Sequence, residues 1–134
     1  MQNRASLEQL AEMIGMGTWT AVLNAGGYAL PVRFRIRGAA VECRVPTWSG
    51  IGDRLTSDDH ALLVLVEEGG RELRWRLIGG SAHLVANPDW EGLIPPETQR
   101  ISPSYLYQVV RIEPRRIELV DEARGWGYRE TMDF

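Results

Sequence analysis

Apolar residues along this chain fall mostly at every second position, in short runs broken by glycine, proline and paired acids, which is the pattern of half-buried strands. Thr18 to Asn24 is rich in β-branched and aromatic residues and runs into Asn24-Ala-Gly-Gly27, so a first hairpin is predicted there. Val32, Phe34 and Ile36 alternate with Arg33, Arg35 and Arg37; Gly38 follows, and Ala39 to Val45 reads as the strand that pairs back. Pro46 ends that ladder, and Trp48 to Leu55 reads as a Gly-rich polar loop entering a short helical turn before Asp58-Asp59. Ala61-Leu-Leu-Val-Leu-Val66 is a nearly continuous apolar run, which predicts a strand buried on both faces. Leu73, Trp75 and Leu77 alternate with Arg74 and Arg76, and a glycine bulge at Gly79-Gly80 carries the strand into Ala82 to Ala86. Asn87 to Ser104, with Pro88, Pro95, Pro96 and Pro103, is the longest irregular stretch and has room for one helical turn. Tyr105 to Ile112 and Arg116 to Val120 read as two strands joined at Glu113-Pro-Arg115, with a tail from Gly125 to Phe134. A helical period shows at the N-terminus: Ser6 and Gln9 have capping-box spacing, and Leu7, Leu10, Ala11 and Ile14 form one face, so residues 1–15 are read as a helix.

Six to eight short strands with one clear helix predict a small, mostly antiparallel β-barrel with short peripheral helices. At 134 residues the chain suits a single domain, residues 1–15 as its helix and 16–134 as barrel and tail. Hydrophobic residues at 44% and charged residues at 25% argue against a disordered chain. One cysteine, Cys43, and two histidines, His60 and His83, are too few ligands for a structural zinc site, so no metal is expected. A formal charge of −3 argues against a nucleic-acid coat. Neither a signal-peptide core nor an apolar run of membrane-spanning length is visible, and a cytoplasmic protein without a membrane partner is expected.

All fifteen cationic side chains are arginine, so any phosphate or carboxylate recognition rests on guanidinium forks and backbone amides. Arg33, Arg35 and Arg37 share one strand face and need anions nearby: either cross-strand carboxylates such as Glu42 or Glu72, or a bound phosphate. Thr47-Trp-Ser-Gly-Ile-Gly52 offers two hydroxyls and flexible amides, which reads either as an anion cradle or as a turn with Ser49 as a helix cap. Gly50-Ile-Gly52 lacks the third glycine and the βαβ context of a dinucleotide fingerprint. No nucleophile elbow and no paired acid and base stand out, so the catalytic residues stay unassigned. Trp126, between Gly125 and Gly127, reads as a flat ligand wall, a dimer anchor or a plug over one barrel end.

Taken in order, Val32 to Arg37, Ala40 to Val45, the loop Thr47 to Gly52, the strand Ala61 to Val66 and Ile78-Gly-Gly-Ser-Ala-His-Leu-Val85 form a pattern, to which Val110 to Leu119 and Gly125-Trp-Gly-Tyr-Arg129 add. This pattern resembles the pyridoxamine 5′-phosphate oxidase-like, FMN-binding split-barrel family, over roughly Thr18 to Phe134. The resemblance implies a six-stranded antiparallel split β-barrel that forms a homodimer with FMN sites shared between subunits. It implies a flavin-dependent oxidoreductase of unknown substrate, with a non-catalytic dimeric barrel binding another small anion, haem or a protein partner as the alternative. By the same resemblance Arg33 or Arg35 reaches the flavin phosphate, Cys43 and Arg44 add contacts, and Thr47, Ser49 and Gly50 belong to the phosphate loop. Trp75 would lie beside the flavin ring, and Trp126 with Arg129 would match a C-terminal pair. The family's loop lysine is absent here, and the Arg-x-His substrate motif of true pyridoxamine phosphate oxidases is not found in Glu122 to Phe134. Related split barrels bind a deazaflavin or haem in place of FMN, or no cofactor.

Overall fold

The computed structural model describes residues 18–95 and 102–134. The helix read over residues 1–15 lies outside them. Seven strands follow in order: β1 (Trp19–Ala25), β2 (Tyr28–Arg37), β3 (Ala40–Pro46), β4 (His60–Glu67), β5 (Arg74–Leu84), β6 (Tyr107–Asp121) and β7 (Arg129–Asp133). Two short helices, α1 (Ile51–Ser57) and α2 (Pro103–Leu106), lie between β3 and β4 and before β6. The sheet runs β3-β2-β1-β4-β5-β6-β7, and β3 also pairs with β6, so six strands close into an antiparallel barrel and β7 is left as an extra edge.

The turns explain the hairpins. Gly26 (φ 58°) and Gly27 (φ 76°) are both left-handed between the partners Ala25 and Tyr28, as a two-residue type I′ hairpin demands. Between Arg37 and Ala40 only Gly38 (φ 61°) is left-handed, the requirement of the mirror-image type II′ turn. These tight turns set the register of β1, β2 and β3, and with it which side chains face in.

Leu23, Val41, Cys43, Val45, Leu63, Leu65, Ile78, Val110, Ile112 and Ile117 are fully buried and fill the barrel. Helix α1 adds Ile51 and Leu55 to that core, each worth about 1.5–3 kcal/mol of apolar burial. Arg54 pins the helix to the first hairpin by donating to the Gly26 carbonyl (3.0 Å) and stacking on the Tyr28 ring.

Three details differ from the sequence pattern. Strand β4 is buried on one face: Leu63 and Leu65 point in, while Leu62 is 38% exposed, because a single-layered barrel covers only the inner side of each strand. The two C-terminal strands are one, β6, whose partner on one side changes from β3 (Tyr107 to Ile112) to β7 (Arg116 to Val120) while β5 runs along the other. Pro114, which has no N–H to give a ladder, sits at the register shift opposite Gly79/Gly80, the bulge the paired glycines predict. A Cβ on Gly80 would fall 2.0 Å from the Glu113 carbonyl oxygen, so the close approach there requires glycine.

The third concerns Arg76. In β5 it is Arg76 and Ile78 that face inward, and Trp75 and Leu77 that are only partly buried. The fully buried Arg76 guanidinium donates from Nη1 to the Trp75 carbonyl (2.9 Å) and lies over the Trp19 ring, but among the described residues its Nε and Nη2 have no hydrogen-bond partner. Burial, and next the Arg74 charge, pull its pKa below the ordinary arginine value. A buried donor without a partner costs about 1–3 kcal/mol, so an apolar side chain of similar length suits this position better. Arg76→Met is expected to leave the fold intact and to stabilise it by about 1–3 kcal/mol in urea unfolding; a loss of stability would show that the guanidinium holds the barrel end together.

Candidate functional site

The strand pair β2–β3 presents its charged side chains outward, and register decides their company. Arg33 lies opposite Arg44, and Arg35 opposite Glu42. Glu42, only 3% exposed, accepts from Arg35 Nη2 (2.7 Å) and Nε (2.9 Å) and from Arg111 Nη1 on β6 (3.3 Å). Arg35 also donates to the Glu91 carbonyl, and Arg37 pairs with Asp89 at 3.3 Å. The Glu91 amide, bonded to Asp89, holds that carboxyl below its ordinary pKa, with Arg37 and Arg35 adding to the effect. Two of the three aligned arginines are thus engaged by protein, and Glu42 is the carboxylate that divides the stripe.

Among the described residues Arg33 has no ion-pair or hydrogen-bond partner. Its cross-strand neighbour Arg44 donates to the Leu93 carbonyl (3.0 Å) and stacks on the Tyr107 ring at 4.2 Å, with no carboxylate. Like charges directly opposite each other on a sheet face repel, and no carboxylate among the described residues pairs with either. Together with Pro31, Val32, Pro46 and Tyr107 the two guanidiniums line a notch of about 270 Å³. Arg33 also borders a groove of about 730 Å³ along the Pro88–Pro95 loop, beside Trp90 and Leu93. The donor set, two adjacent guanidinium forks at a concave spot, fits a phosphate.

The other predicted residues are placed as follows. Thr47 is exposed at the end of β3, next to Pro46 of the notch. Ser49 is buried and donates to the Pro46 carbonyl (2.7 Å), while its oxygen accepts from the Ile51 amide (3.4 Å); the hydroxyl closes the turn into α1. Gly50 is left-handed (φ 67°) and its amide points to the Thr47 carbonyl. Cys43 faces the core, and its backbone lies in a strand paired on both sides, with Phe34 and Val110 as neighbours, so it offers a surface ligand no thiol. Trp75 is partly buried on β5 with its Nε1 unpartnered. Trp126 is 98% exposed, which removes the reading of a plug, and Arg129 pairs with Glu118. Neither Trp75, Trp126 nor Arg129 lines the Arg33–Arg44 notch of the same chain.

Of the two carboxylates weighed for the arginine stripe, Glu42 is the partner; its place follows from counting back from the Gly38 turn. Tyr107, Arg111 and the Trp90 loop had no local signal, since they arrive only through barrel closure. Asp58, Asp59 and His60 bring their ligand atoms within 4.8 Å of one another, all three exposed, with Asp58 Oδ1 accepting from the His60 amide. Among the described residues no helix is long and apolar enough to cross a membrane.

No protein-family model and no curated protein matches the sequence. Solved structures do match in shape. A protein related to general stress protein 26, of the pyridoxinephosphate oxidase family, from Clostridium acetobutylicum superposes with a TM-score of 0.66 at 12% identity, over 98% of this chain and 96% of that one. A heme binding protein from Mycobacterium smegmatis gives 0.66 at 17% identity, over 92% of this chain and 56% of that one. An FAD binding protein from the same organism gives 0.50 at 16% identity, over 97% and 96%. The architecture is a six-stranded split β-barrel. This fold is shared with a protein of the pyridoxinephosphate oxidase family and with proteins whose names record haem and FAD binding.

Burial drives the Cys43 thiol up from its ordinary 9.0 to about 12, with the Glu42 charge adding to it. The folded state therefore keeps a proton that the unfolded chain loses, and this contribution to stability is full below pH 9 and declines as pH rises toward 12. Iodoacetamide at pH 8 is expected to leave the native thiol unmodified and to label it at the rate of unfolding in urea; fast stoichiometric labelling of folded protein would show that Cys43 is open to solvent.

Proposed function

We propose that the protein binds FMN, as a homodimeric oxidoreductase of unknown substrate, with the flavin phosphate at the notch between Arg33 and Arg44. The observation that carries this reading is the pair of facing guanidiniums without an acid. A bound phosphate would relieve their repulsion and give Arg33 a partner. The exposed Thr47, which follows Pro46 of the notch in sequence, would be a further hydroxyl donor, and the Gly50 turn shapes the loop after it. FMN would supply the redox chemistry, so no protein base is needed; the chain's task is to hold the phosphate, border the ring and admit substrate. The notch is open and smaller than an entire flavin, so a second copy would have to cover the ring. In that arrangement Trp75, Trp126 and Arg129 would reach the cofactor from the partner, and the near-complete exposure of Trp126 suits such a contact.

A second reading is a dimeric barrel without catalysis that binds another small anion or a protein. Its support is that Arg35, Arg37 and Ser49, three of the donors aligned for a phosphate, are already engaged by the protein itself. The two readings part on flavin affinity. Arg33→Gln is expected to weaken FMN binding about 10- to 100-fold, the size of one charged hydrogen bond, and Ser49→Ala to leave it unchanged. Fluorescence titration with FMN checks both variants; wild-type protein that is colourless and does not quench added FMN would overturn the first reading and leave the second.

A further inference from the structure

A second groove, of about 760 Å³, lies away from the notch, where the β1–β2 turn, the start of β4 and the bulge of β5 and β6 meet on the outside of the barrel. Four glycines contribute to it: Gly26, Gly27, Gly79 and Gly80. Three have a structural reason. Gly26 and Gly27 adopt positive φ, and Gly80 sits against the Glu113 carbonyl.

Gly79 has none. Its φ is not in the left-handed range, and a Cβ there would meet nothing nearer than Leu62 Cδ1 at 3.7 Å, an ordinary contact. Glycine inside a strand is less stable than alanine, and close approach by another molecule is a physical reason to keep it where neither turn nor packing calls for it. The missing methyl leaves open space on the outer face beside Leu62, its exposed partner across the ladder.

The polar end of the groove comes from the same bulge. Pairing passes from Gly79↔Arg116 to Gly80↔Pro114, so Arg115 is left without a partner residue on β5. Arg115 is exposed, lines the groove, and its guanidinium makes no ion pair or hydrogen bond among the described residues, whereas Arg116 is taken by Asp133. Bulges re-aim side chains in this way. Asp58, also lining the groove, bears a carboxylate and would repel an anion, which leaves the Arg115 side for negative charge.

We propose that this groove binds a planar apolar carboxylate, its ring lying on Gly79 against Leu62 and its carboxylate on Arg115. The site is independent of the flavin notch and shares no lining residue with it.

Calorimetric titration with 2-naphthoate tests the site. Wild-type protein is expected to bind it saturably at one site per chain, with Gly79→Ala and Arg115→Gln each weakening it about tenfold or more. Arg33→Gln should bind as the wild type does, and neutral 2-naphthamide should bind at least about tenfold more weakly than the acid. The thermal midpoint of Gly79→Ala is expected at or above that of the wild type. Absence of saturable binding, undiminished affinity in Gly79→Ala or Arg115→Gln, equal binding of the amide, or loss in Arg33→Gln would each overturn the proposal. A lowered midpoint in Gly79→Ala would also overturn it, since the barrel itself would then need the glycine.

Discussion

Closure of the barrel between β3 and β6 is the constraint on which the rest depends, and Glu42 stands on that seam. Its carboxylate accepts from Arg35 on β2 and Arg111 on β6, the residues opposite it on its two neighbouring strands. Removing one partner from a buried ion group costs more than the pair contributes, because the remaining charge stays desolvated. The three-strand clamp therefore holds the charged faces in one arrangement. By absorbing Arg35 and Arg111 it also leaves Arg33 and Arg44 as the facing cations without an acid.

The barrel uses irregularity at two places to make concave surface. At one, Pro46 ends β3 and the Ser49 hydroxyl folds the chain into α1, so the end of the strand pair is free to form the notch. At the other, the Gly79/Gly80 shift lets Pro114 be carried in a long strand and turns Arg115 outward. Paired strands flank both spots, and a site built on such elements is better placed to select a ligand by shape.

The inside of the barrel obeys a simpler rule. Apolar side chains from the six barrel strands and from α1 fill it, with Arg76 as a polar exception at the end marked by Trp19, Glu67 and Asp121. That exception was hidden by the alternation of Leu73, Trp75 and Leu77. An apolar and a charged set at period two mark two faces but do not say which is inside when the charged set includes a long side chain able to lie along an aromatic ring.

Local chemistry alone determined much of this protein. Glycines at 26, 27 and 38 specify tight turns, the period-two runs specify the strands, and the Gly38 turn places Arg35 opposite Glu42 and Arg33 opposite Arg44, because hairpin register is set by the turn. Tertiary structure decided what those pairs meet. Arg111 and Tyr107 come from more than sixty residues away through β3–β6 pairing, the inner face of β5 was chosen by closure, and the exposure of Trp126 followed from where β7 attaches. Contacts between distant segments depend on how the sheet closes, and period and spacing carry no record of that.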